Sequence, residues 1–400
     1  MSEIRFFNVW RTSSKENQEK LIDAMREETS IFPSKPGFLE LVLWQGEADD
    51  HRVLADGRWA SLAAFEAAVA NNPAALEGRE RMAQFGTPDA GLFREAVRVQ
   101  PAPHSGAASV RELPNDIAEH DLKANGQTIH YLRAGAGPLM LLVHGYPESS
   151  RTWLKVMPEL AKHFTVIAPD TRGTGDSSVA HDFAIKDVAD DLYELVKALG
   201  FRELILVGQD FGVQVIGAYA AMHREDIRAF IAIESPLSGF GLEDLFGSFW
   251  HFGFLRSPFA EMLIKGREEE FFRAFAFGDF VYQRSAFTES DIDAYVKNQA
   301  RPGRLGAGFD YYRALGSSKE FFVRTVAPPW SFPVLAIDGD HSISGLTAKS
   351  FARIQPGLKS MLAPDSGHFV QEEQPDFLVR TLLDFTVKAG LKPAYERKGP

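Results

Sequence analysis

The chain has 400 residues, no cysteine and a formal net charge of −11. The lack of cysteine excludes disulfides, thiolate metal sites and a cysteine nucleophile, and the acidic balance argues against a nucleic-acid partner or an anionic membrane surface. No apolar stretch approaches the roughly 20 residues of a membrane span, and residues 1–11 lack the features of a signal peptide. We therefore expect a cytoplasmic protein, and its length favours two domains.

Residues 1–100 are predicted to form a compact α+β domain. A β-rich run at 4–11 precedes a segment with helical spacing at 15–29, in which Leu21, Ile22 and Met25 share one face. Two predicted strands follow, at 38–45 and, after the turn-like Asp49–Asp50 pair, at 52–59. Ser61 then begins a predicted helix that carries Leu62, Phe65 and Val69, and the last predicted strand lies at 92–99. The order β-α-β-β-α-β is the ferredoxin-like arrangement.

Residues 101–112 are predicted to be a linker, because the segment 101–109 is rich in proline, glycine, serine and alanine. A different pattern begins at about residue 113. Short continuous apolar runs are expected of strands buried on both faces of a parallel sheet, and helical segments between them indicate a doubly wound α/β fold. The runs are at 139–143, 165–168, 204–207, 230–233 and 334–337, and the clearest helical segments are at 187–199 and 213–223.

Residues 236–330 interrupt this alternation without a comparable strand. They contain 15 of the 32 phenylalanines of the chain, so this insert has an unusually apolar surface. We interpret it as a helical cap over a pocket, which leaves 113–235 and 331–400 as the core of the second domain. Extra core packing is the alternative explanation, and it accounts for most of these phenylalanines.

The sequence Gly-Gln-Asp-Phe-Gly at 208–212 follows one of the predicted strands and opens a helix. A strand, a tight turn and a helix are the setting of a nucleophile elbow, in which glycines leave room for a strained residue at the centre. Asp210 is therefore a candidate nucleophile. Taken alone, the same aspartate is better explained as the N-cap of the helix.

Two further motifs favour the nucleophile over the cap. His-Gly-Tyr-Pro at 144–147 follows the first buried strand, where this fold supplies one backbone N–H of an oxyanion hole, and the residue after the nucleophile supplies the other. The N–H groups of Tyr146 and Phe211 are thus the predicted donors. His368 follows the last short strand at 359–362, in the chain order in which this fold places its catalytic base.

These motifs, together with Asp-Thr-Arg-Gly-Thr-Gly-Asp-Ser at 170–177 and Ser-Gly-His-Phe at 366–369, resemble those of α/β-hydrolase-fold epoxide hydrolases. The resemblance covers about 113–395, and related dehalogenases share much of it. It implies that Asp210 attacks a small-molecule epoxide to form an ester, which His368 and water then hydrolyse to a diol. It implies neither a cofactor nor a metal.

The acid that orients His368 has two candidates. Glu234 follows the predicted strand at 230–233, and Asp340 follows the one at 334–337. Relatives in this superfamily place the acid after either strand. The sequence Glu-Ser-Pro at 234–236 resembles the subgroup that uses the earlier one, which favours Glu234.

The cap carries the candidate proton donors. Epoxide hydrolases resemble one another in having a cap tyrosine just before an arginine, and Tyr312 precedes Arg313 here. A second donor early in the cap is a histidine in one branch of the family, which His251 resembles. A packed histidine among aromatic residues is the other explanation for His251.

Dehalogenation through the same ester is the main alternative reaction. Fluoroacetate dehalogenases have arginines one and four residues after the nucleophile, where this chain has Phe211 and Gln214. Haloalkane dehalogenases tend to have tryptophan after the nucleophile and asparagine after His-Gly, where this chain has Phe211 and Tyr146. The sequence thus favours epoxide hydrolysis, with haloalkane-type dehalogenation or another ester hydrolysis as alternatives.

The first domain resembles the antibiotic-biosynthesis-monooxygenase domains, which are small dimeric α+β barrels. The resemblance is carried by residues 6–10, 36–39 and 58–65. Asn8 and Trp59 fall where haem-degrading relatives have functional residues, but 66–85 contain no histidine, which argues against haem. The resemblance implies a homodimer, with an oxygenase or substrate-holding role as the alternative. The domain pair suggests a tailoring enzyme whose epoxide is apolar, aromatic or polyketide-derived.

Overall fold

The computed structural model describes residues 4–30, 32–36, 38–45, 52–60, 62–65, 81–91, 113–180, 182–326 and 329–391. The chain divides into two compact units, Met1–His104 and Ser105–Pro400. The division falls inside the predicted linker at 101–112, whose own residues lie outside the described part of the chain. Each unit contains its own β-sheet.

The N-terminal unit is built on a four-stranded antiparallel sheet with the strand order β2-β3-β1-β4. Its main elements in chain order are β1 (Ile4–Thr12), α1 (Lys15–Thr29), β2 (Phe38–Gln45), β3 (Arg52–Trp59), α2 (Leu62–Phe65) and β4 (Gly86–Gly91). Ser14 begins α1, because its side-chain oxygen accepts a hydrogen bond from the Asn17 N–H at 3.2 Å. The order of elements confirms the predicted ferredoxin-like arrangement.

The last strand of this sheet begins earlier than predicted. β4 occupies Gly86–Gly91 and pairs with β1 at the edge of the sheet, whereas the sequence predicted a strand at 92–99. Glycine and proline are tolerated at a sheet edge. With Gly86, Pro88 and Gly91, this strand lacks the alternation of apolar and polar residues that predicts most strands. Residues 92–99 lie outside the described part of the chain, as do Ser61, Val69 and the Asp49–Asp50 pair.

Two aromatic and aliphatic clusters fill the interior of this unit. Trp59 is fully buried, and its ring lies 5.3 to 6.1 Å from those of Phe32, Phe38 and Phe65. Other side chains therefore enclose Trp59 and leave it no open face for a ligand, while the side chain of Asn8 lies outside the described part. The second cluster includes the predicted face of α1 and consists of Trp10, Leu21, Ile22, Met25 and Val53.

The C-terminal unit contains an eight-stranded sheet with the order β12-β11-β10-β9-β7-β8-β6-β5. β6 runs antiparallel to both neighbours, and the other pairs are parallel. β7, β8, β9 and β11 are buried along their whole length, as predicted for strands covered on both faces. The strands are β5 (Ala118–Ala124), β6 (Gln127–Ala134), β7 (Leu139–Val143), β8 (Thr165–Pro169), β9 (Leu204–Gln209), β10 (Ile227–Ile233), β11 (Val334–Gly339) and β12 (Lys359–Ala363).

Helices accompany this sheet, as the alternating pattern predicted. The helical segments predicted at 187–199 and 213–223 are α4 and α5, with ends shifted by one or two residues. The helices are α3 (Met157–Leu160), α4 (Ile185–Ala198), α5 (Phe211–Met222), α6 (Trp250–Leu255), α7 (Ala260–Ile264), α8 (Glu268–Ala274), α9 (Glu289–Gln299), α10 (Arg304–Arg313), α11 (Leu315–Thr325), α12 (Leu346–Phe351), α13 (Val370–Glu373) and α14 (Pro375–Lys388). Among the described residues, none of the helices has the length and apolar character needed to cross a membrane.

The insert between β10 and β11 forms the predicted helical cap. In the described part of 236–330 the regular elements are all helical: α6 to α11, short 3₁₀ turns and a π-helical turn at Phe275–Asp279. Phe272, Phe309 and Phe322 are fully buried, so core packing does account for part of the phenylalanine content. Others line a cavity beneath the cap. The loops after β7, β9, β10, β11 and β12 meet there, since the carboxyl ends of parallel strands share one edge of a sheet.

Candidate active site

Asp210 lies at a strained turn between β9 and α5. Its backbone has φ 51° and ψ −122°, which costs a non-glycine residue about 1–3 kcal/mol. The turn is tight against its neighbours: a Cβ on Gly212 would lie 2.1 Å from the Val143 carbonyl oxygen, and one on Gly145 would lie 2.4 Å from the Asp210 Cβ. These positions therefore require glycine, and the local geometry is that of the predicted nucleophile elbow.

The carboxylate of Asp210 does not cap the helix that follows it. Its side chain makes no capping hydrogen bond to α5, and Oδ1 accepts instead from the backbone N–H of Tyr146 at 3.0 Å. The Phe211 N–H also donates to this carboxylate. Burial by itself would raise the pKa of Asp210. The effects of His368 and of these N–H groups are larger and opposite, so the pKa of Asp210 lies below its ordinary value. At neutral pH Asp210 is therefore an anion held by the two predicted oxyanion donors.

His368 lies between two carboxylates. Its Nδ1 is 2.9 Å from Glu234 Oε2, and its Nε2 is 3.6 Å from Asp210 Oδ2. The backbone N–H of His368 donates to the Phe280 carbonyl of the cap at 2.9 Å. Burial alone would lower the pKa of His368, but the hydrogen bonds and charges of Asp210 and Glu234 raise it to about 10. The ring is therefore protonated while Asp210 is an anion.

The structure brings Glu234, and not Asp340, to His368. The Glu234 side chain is fully buried and accepts from the Gly339 N–H at 2.6 Å and from Ser342 Oγ at 2.5 Å. Asp340 is exposed, and its carboxylate accepts from the Ser366 N–H at 3.1 Å. β10 lies directly beside β9, so its last residues emerge next to the elbow.

The two adjacent tyrosines of the cap, Tyr311 and Tyr312, make different contacts. The Tyr311 hydroxyl donates to the Arg172 carbonyl at 3.0 Å, which fixes α10 to the core. Tyr312 lines the cavity together with Asp210. Burial and the charge of Asp210 raise the pKa of Tyr312 well above its ordinary value. Its hydroxyl therefore keeps its proton and can act as a hydrogen-bond donor.

His251 lines the same cavity, with its ring centroid 5.9 Å from that of Tyr312 and 5.3 Å from that of Phe280. Its Nδ1 is buried without a hydrogen-bond partner among the described residues. Burial lowers the pKa of His251 to about 4, so the ring is neutral near pH 7 and carries one N–H. His251 thus packs among aromatic rings and also lines the cavity, so both explanations considered for this residue apply.

The cavity that these side chains share has a volume of about 60 Å³. Its walls are mostly apolar, and among the described residues that line it none is arginine or lysine. Polar atoms reach it chiefly from the groups already described. The apolar lining consists of Leu242, Leu245, Phe249, Phe252, Phe275, Ala276, Phe280, Ile343 and Phe369, together with the rings of Tyr146 and Tyr312.

Three residues of this region were missed by the sequence analysis. Gln209 contacts His368, and Ser342 donates to Glu234. Glu373 accepts from the Gly367 and Phe369 N–H groups on either side of His368, and from two cap N–H groups. Gln209 occupies a variable position of the elbow motif, so the motif does not predict a role for it. Ser342 and Glu373 contact residues that are distant in sequence, and no local pattern predicts such contacts.

One group among the described residues has side chains suited to a metal: His130, Asp170 and Asp176. Protein groups already contact these side chains. Asp170 accepts from the Ser150 and Asp176 N–H groups at 2.7 and 2.8 Å, and His130 Nδ1 lies 3.1 Å from Asp121. We therefore assign no metal to this cluster.

The fold and the site define the class of this protein: a doubly wound α/β chain whose candidate nucleophile, Asp210, lies at a tight strand–helix turn beneath a helical cap. Comparison with known proteins gives the family. Residues 138–375 match the family model described as alpha/beta hydrolase fold, and the chain belongs to that family. Residues 8–80 match the model described as antibiotic biosynthesis monooxygenase, in agreement with the α+β fold of the N-terminal unit.

Individual relatives match about two thirds of the chain. The soluble epoxide hydrolase of Corynebacterium sp. (strain C12) is 29% identical over 68% of this chain and 98% of its own length. The fluoroacetate dehalogenase of a Burkholderia species is 26% identical over 64% of this chain and 90% of its own. The solved structure of the epoxide hydrolase CorEH without ligand has a TM-score of 0.63 at 29% identity, over 68% of this chain and 99% of its own.

Proposed function

We propose that this protein is an epoxide hydrolase that opens an apolar epoxide to a vicinal diol through an ester on Asp210. One observation carries the proposal. An ionised elbow carboxylate shares one cavity with Tyr312 and His251, which stay uncharged and can donate hydrogen bonds. The similarity to proteins named epoxide hydrolase supports the same reaction.

In the first half of the reaction, Asp210 attacks a ring carbon of the epoxide. A carboxylate needs no base for this step, because it is already an anion at neutral pH. One C–O bond forms to Asp210 and one C–O bond of the ring breaks, which leaves an alkoxide. Tyr312 protonates this alkoxide while the N–H of His251 donates a hydrogen bond to it. The proton of His368 then returns to the Tyr312 oxygen, which leaves His368 neutral for the second half. General-acid assistance of this kind is typically worth about 10²–10⁴-fold in rate.

In the second half, water hydrolyses the ester. His368, oriented by Glu234, removes a proton from the water, whose oxygen bonds to the carbonyl carbon of Asp210. The N–H groups of Tyr146 and Phe211 stabilise the oxyanion that develops, a role typically worth about 10²–10³-fold for each donor. The ester C–O bond then breaks as protonated His368 gives its proton to the departing oxygen, and the diol leaves. The new carboxyl group of Asp210 passes its remaining proton to His368, which restores the carboxylate and the protonated ring.

The cavity supports an uncharged, apolar substrate. Aromatic and aliphatic side chains form its walls, and the described lining offers no cation to a carboxylate on the substrate. An aryl epoxide fits the apolar character of these walls better than a small polar epoxide does.

Dehalogenation of haloacids is disfavoured in spite of the similarity to fluoroacetate dehalogenase. At the two positions after the nucleophile where those enzymes have arginine, this chain has Phe211 and Gln214. The Gln214 amide is buried and donates to Ser235 Oγ at 3.0 Å and to the Pro236 carbonyl at 2.8 Å. Gln214 thus hydrogen-bonds to the turn that carries Glu234. None of the described residues that line the cavity is an arginine or lysine that could replace the missing arginines.

The proposal is tested by a single turnover of an aryl epoxide such as styrene oxide in H₂¹⁸O. With enzyme in excess, the diol should carry ¹⁶O from Asp210, while the ¹⁸O enters the carboxylate. Replacement His368→Gln should trap the ester as a mass increase on the peptide that contains Asp210. Direct appearance of ¹⁸O in the first-turnover diol, with no ester in His368→Gln, would refute the mechanism.

For the N-terminal unit, dimerisation is the role that we propose. Its match to the antibiotic biosynthesis monooxygenase family and its ferredoxin-like sheet support pairing through this unit. The enclosed position of Trp59 argues against an oxygenase site there. Sedimentation of the full chain and of a chain that begins at residue 105 should give a dimer and a monomer, respectively.

A further inference from the structure

Gln209 is a fully buried residue in contact with the proposed base. Its Nε2 lies 3.0 Å from His368 Nε2 and 3.2 Å from the His368 carbonyl oxygen. The nearest oxygen of Asp210 is farther away, at 3.6 Å from the same ring nitrogen. Gln209 does not belong to the residues that line the substrate cavity, so its amide reaches His368 from another side than the substrate does.

The contact selects one protonation state of His368. A side-chain NH₂ group donates hydrogen bonds and accepts none, so Gln209 Nε2 can bond only to an unprotonated His368 Nε2. The opposite orientation of the amide would place Oε1 against the His368 carbonyl, with two acceptors facing each other. Glu234 accepts from Nδ1, which places the ring proton there. The amide therefore fits the neutral ring, with its lone pair on Nε2.

Neutral His368 is the form that the second half of the reaction requires. While Asp210 is an anion, its charge helps to raise the pKa of His368 to about 10 and keeps the ring protonated. Formation of the ester removes that charge, so the pKa of His368 falls. The hydrogen bond from Gln209 opposes reprotonation in the same state. The Asp210 anion therefore favours the protonated ring of His368, and the Gln209 amide favours the neutral ring.

We propose that Gln209 is a positioning residue for ester hydrolysis: its amide holds His368 neutral, with no proton on Nε2, until water takes over that hydrogen bond. The inference rests on the proposed function. Gln209 Oε1 is buried and has no hydrogen-bond partner among the described residues. A buried acceptor of this kind commonly has an ordered water as its partner. The water that replaces the amide at Nε2 can give one proton to His368 and a hydrogen bond to Oε1.

The test separates the two halves of the reaction in the full-length enzyme. Formation and decay of the ester of styrene oxide are followed by rapid quench and mass spectrometry. In Gln209→Met, ester decay should be about tenfold slower, the effect of losing one hydrogen bond to the base. Ester formation should change by less than about twofold. Equal losses in both steps, or an unchanged decay, would overturn the proposal, because a purely structural role predicts no such split.

Gln371→Met is the matched control. Gln371 is also fully buried, and its amide oxygen has no partner among the described residues, but its Nε2 donates to Glu148 at 3.0 Å and to Thr152 at 2.9 Å. It should leave the ratio of ester formation to decay unchanged. If Gln371→Met shifts this ratio as far as Gln209→Met does, the effect is general to buried amides and the proposal fails.

Gln209→Glu provides a second test with a nearly isosteric side chain. A carboxylate beside Nε2 favours the protonated ring, so the pH at which ester decay reaches half its maximal rate should rise by about one unit or more. An unmoved pH profile would contradict the proposal. The wild-type enzyme distinguishes the two levels of inference. If it forms no ester, the proposed function fails and the role of Gln209 fails with it. If it forms an ester whose decay does not depend on Gln209, only the role of Gln209 fails.

Discussion

The core and the cap contribute to this site in different ways. The core groups are held by hydrogen bonds: Asp210 by two backbone N–H groups, and Glu234 by Gly339, Ser342 and His368. The cap groups Tyr312 and His251 are held by ring packing, and His251 Nδ1 is buried with no partner in the described part of the chain. The charged groups of the site thus lie in the core, and the neutral donors lie in the cap.

Desolvation is the physical basis of that separation. Burial disfavours the charged form of any group, and hydrogen bonds or opposite charges restore it. The core supplies such partners, so Asp210 remains an anion and His368 holds a proton. The cap does not, so Tyr312 and His251 remain uncharged donors. One cavity thus contains an ionised nucleophile and neutral acids, and each proposed half-reaction uses a different side of it.

The largest effect is expected at the acid of the core. Glu234→Gln keeps the shape but removes the charge that orients and stabilises the protonated ring of His368, so ester hydrolysis should fall by about 10²–10⁴-fold. Asp340→Asn, at the other candidate position, should change it by less than about twofold. Single-turnover ester decay measures both variants. Equal losses in the two would show that the core has no single acid.

A smaller effect is expected in the cap. Tyr312→Phe should slow ester formation by about 10²-fold and leave ester decay nearly unchanged, because the hydroxyl acts only on the departing alkoxide. Since burial raises the pKa of Tyr312 well above 10, ester formation in the wild type should not decline as the pH passes 10.

Tyr311→Phe is the control for this prediction. It removes the hydrogen bond to Arg172, so it should lower stability by about 1 kcal/mol without a change in ester formation. If Tyr312→Phe instead slowed ester decay, the assignment of the cap to the first half would be wrong. Intact turnover of an alkyl halide in Tyr312→Phe would favour the dehalogenase alternative.

The smallest effect is expected from a single hydrogen bond in the core. Ser342→Ala removes the donor that lies 2.5 Å from Glu234 Oε2, so ester decay should slow by about fivefold to tenfold. Ser344→Ala is the control, because Ser344 Oγ contacts only backbone carbonyls. A loss in ester formation of the same size in Ser342→Ala would mean that the hydrogen bonds of the core do not act on hydrolysis alone.

Much of the fold was predictable because its signals are local. Continuous apolar runs predicted the buried strands β7 to β11, and helical spacing predicted α1 with identical bounds. The edge strand β4 was not predicted, since edge pairing at Gly86–Gly91 uses backbone groups and needs no apolar pattern, and the strand predicted at 92–99 lies outside the described residues.

The amino-acid sequence by itself determined the elbow and the kinds of side chain that the chemistry needs. A tight turn between strand and helix demands glycine at fixed offsets, so Asp210 and its neighbours could be identified from a few adjacent residues. The tertiary structure brought Glu234 to His368 and not Asp340, a choice on which the sequence could only express a preference, and it alone revealed Gln209 as a contact of the base. His368 meets Glu234 across 134 residues and Gln209 across 159. Contacts over such separations depend on the order of strands in the sheet and on the direction in which each side chain leaves its element.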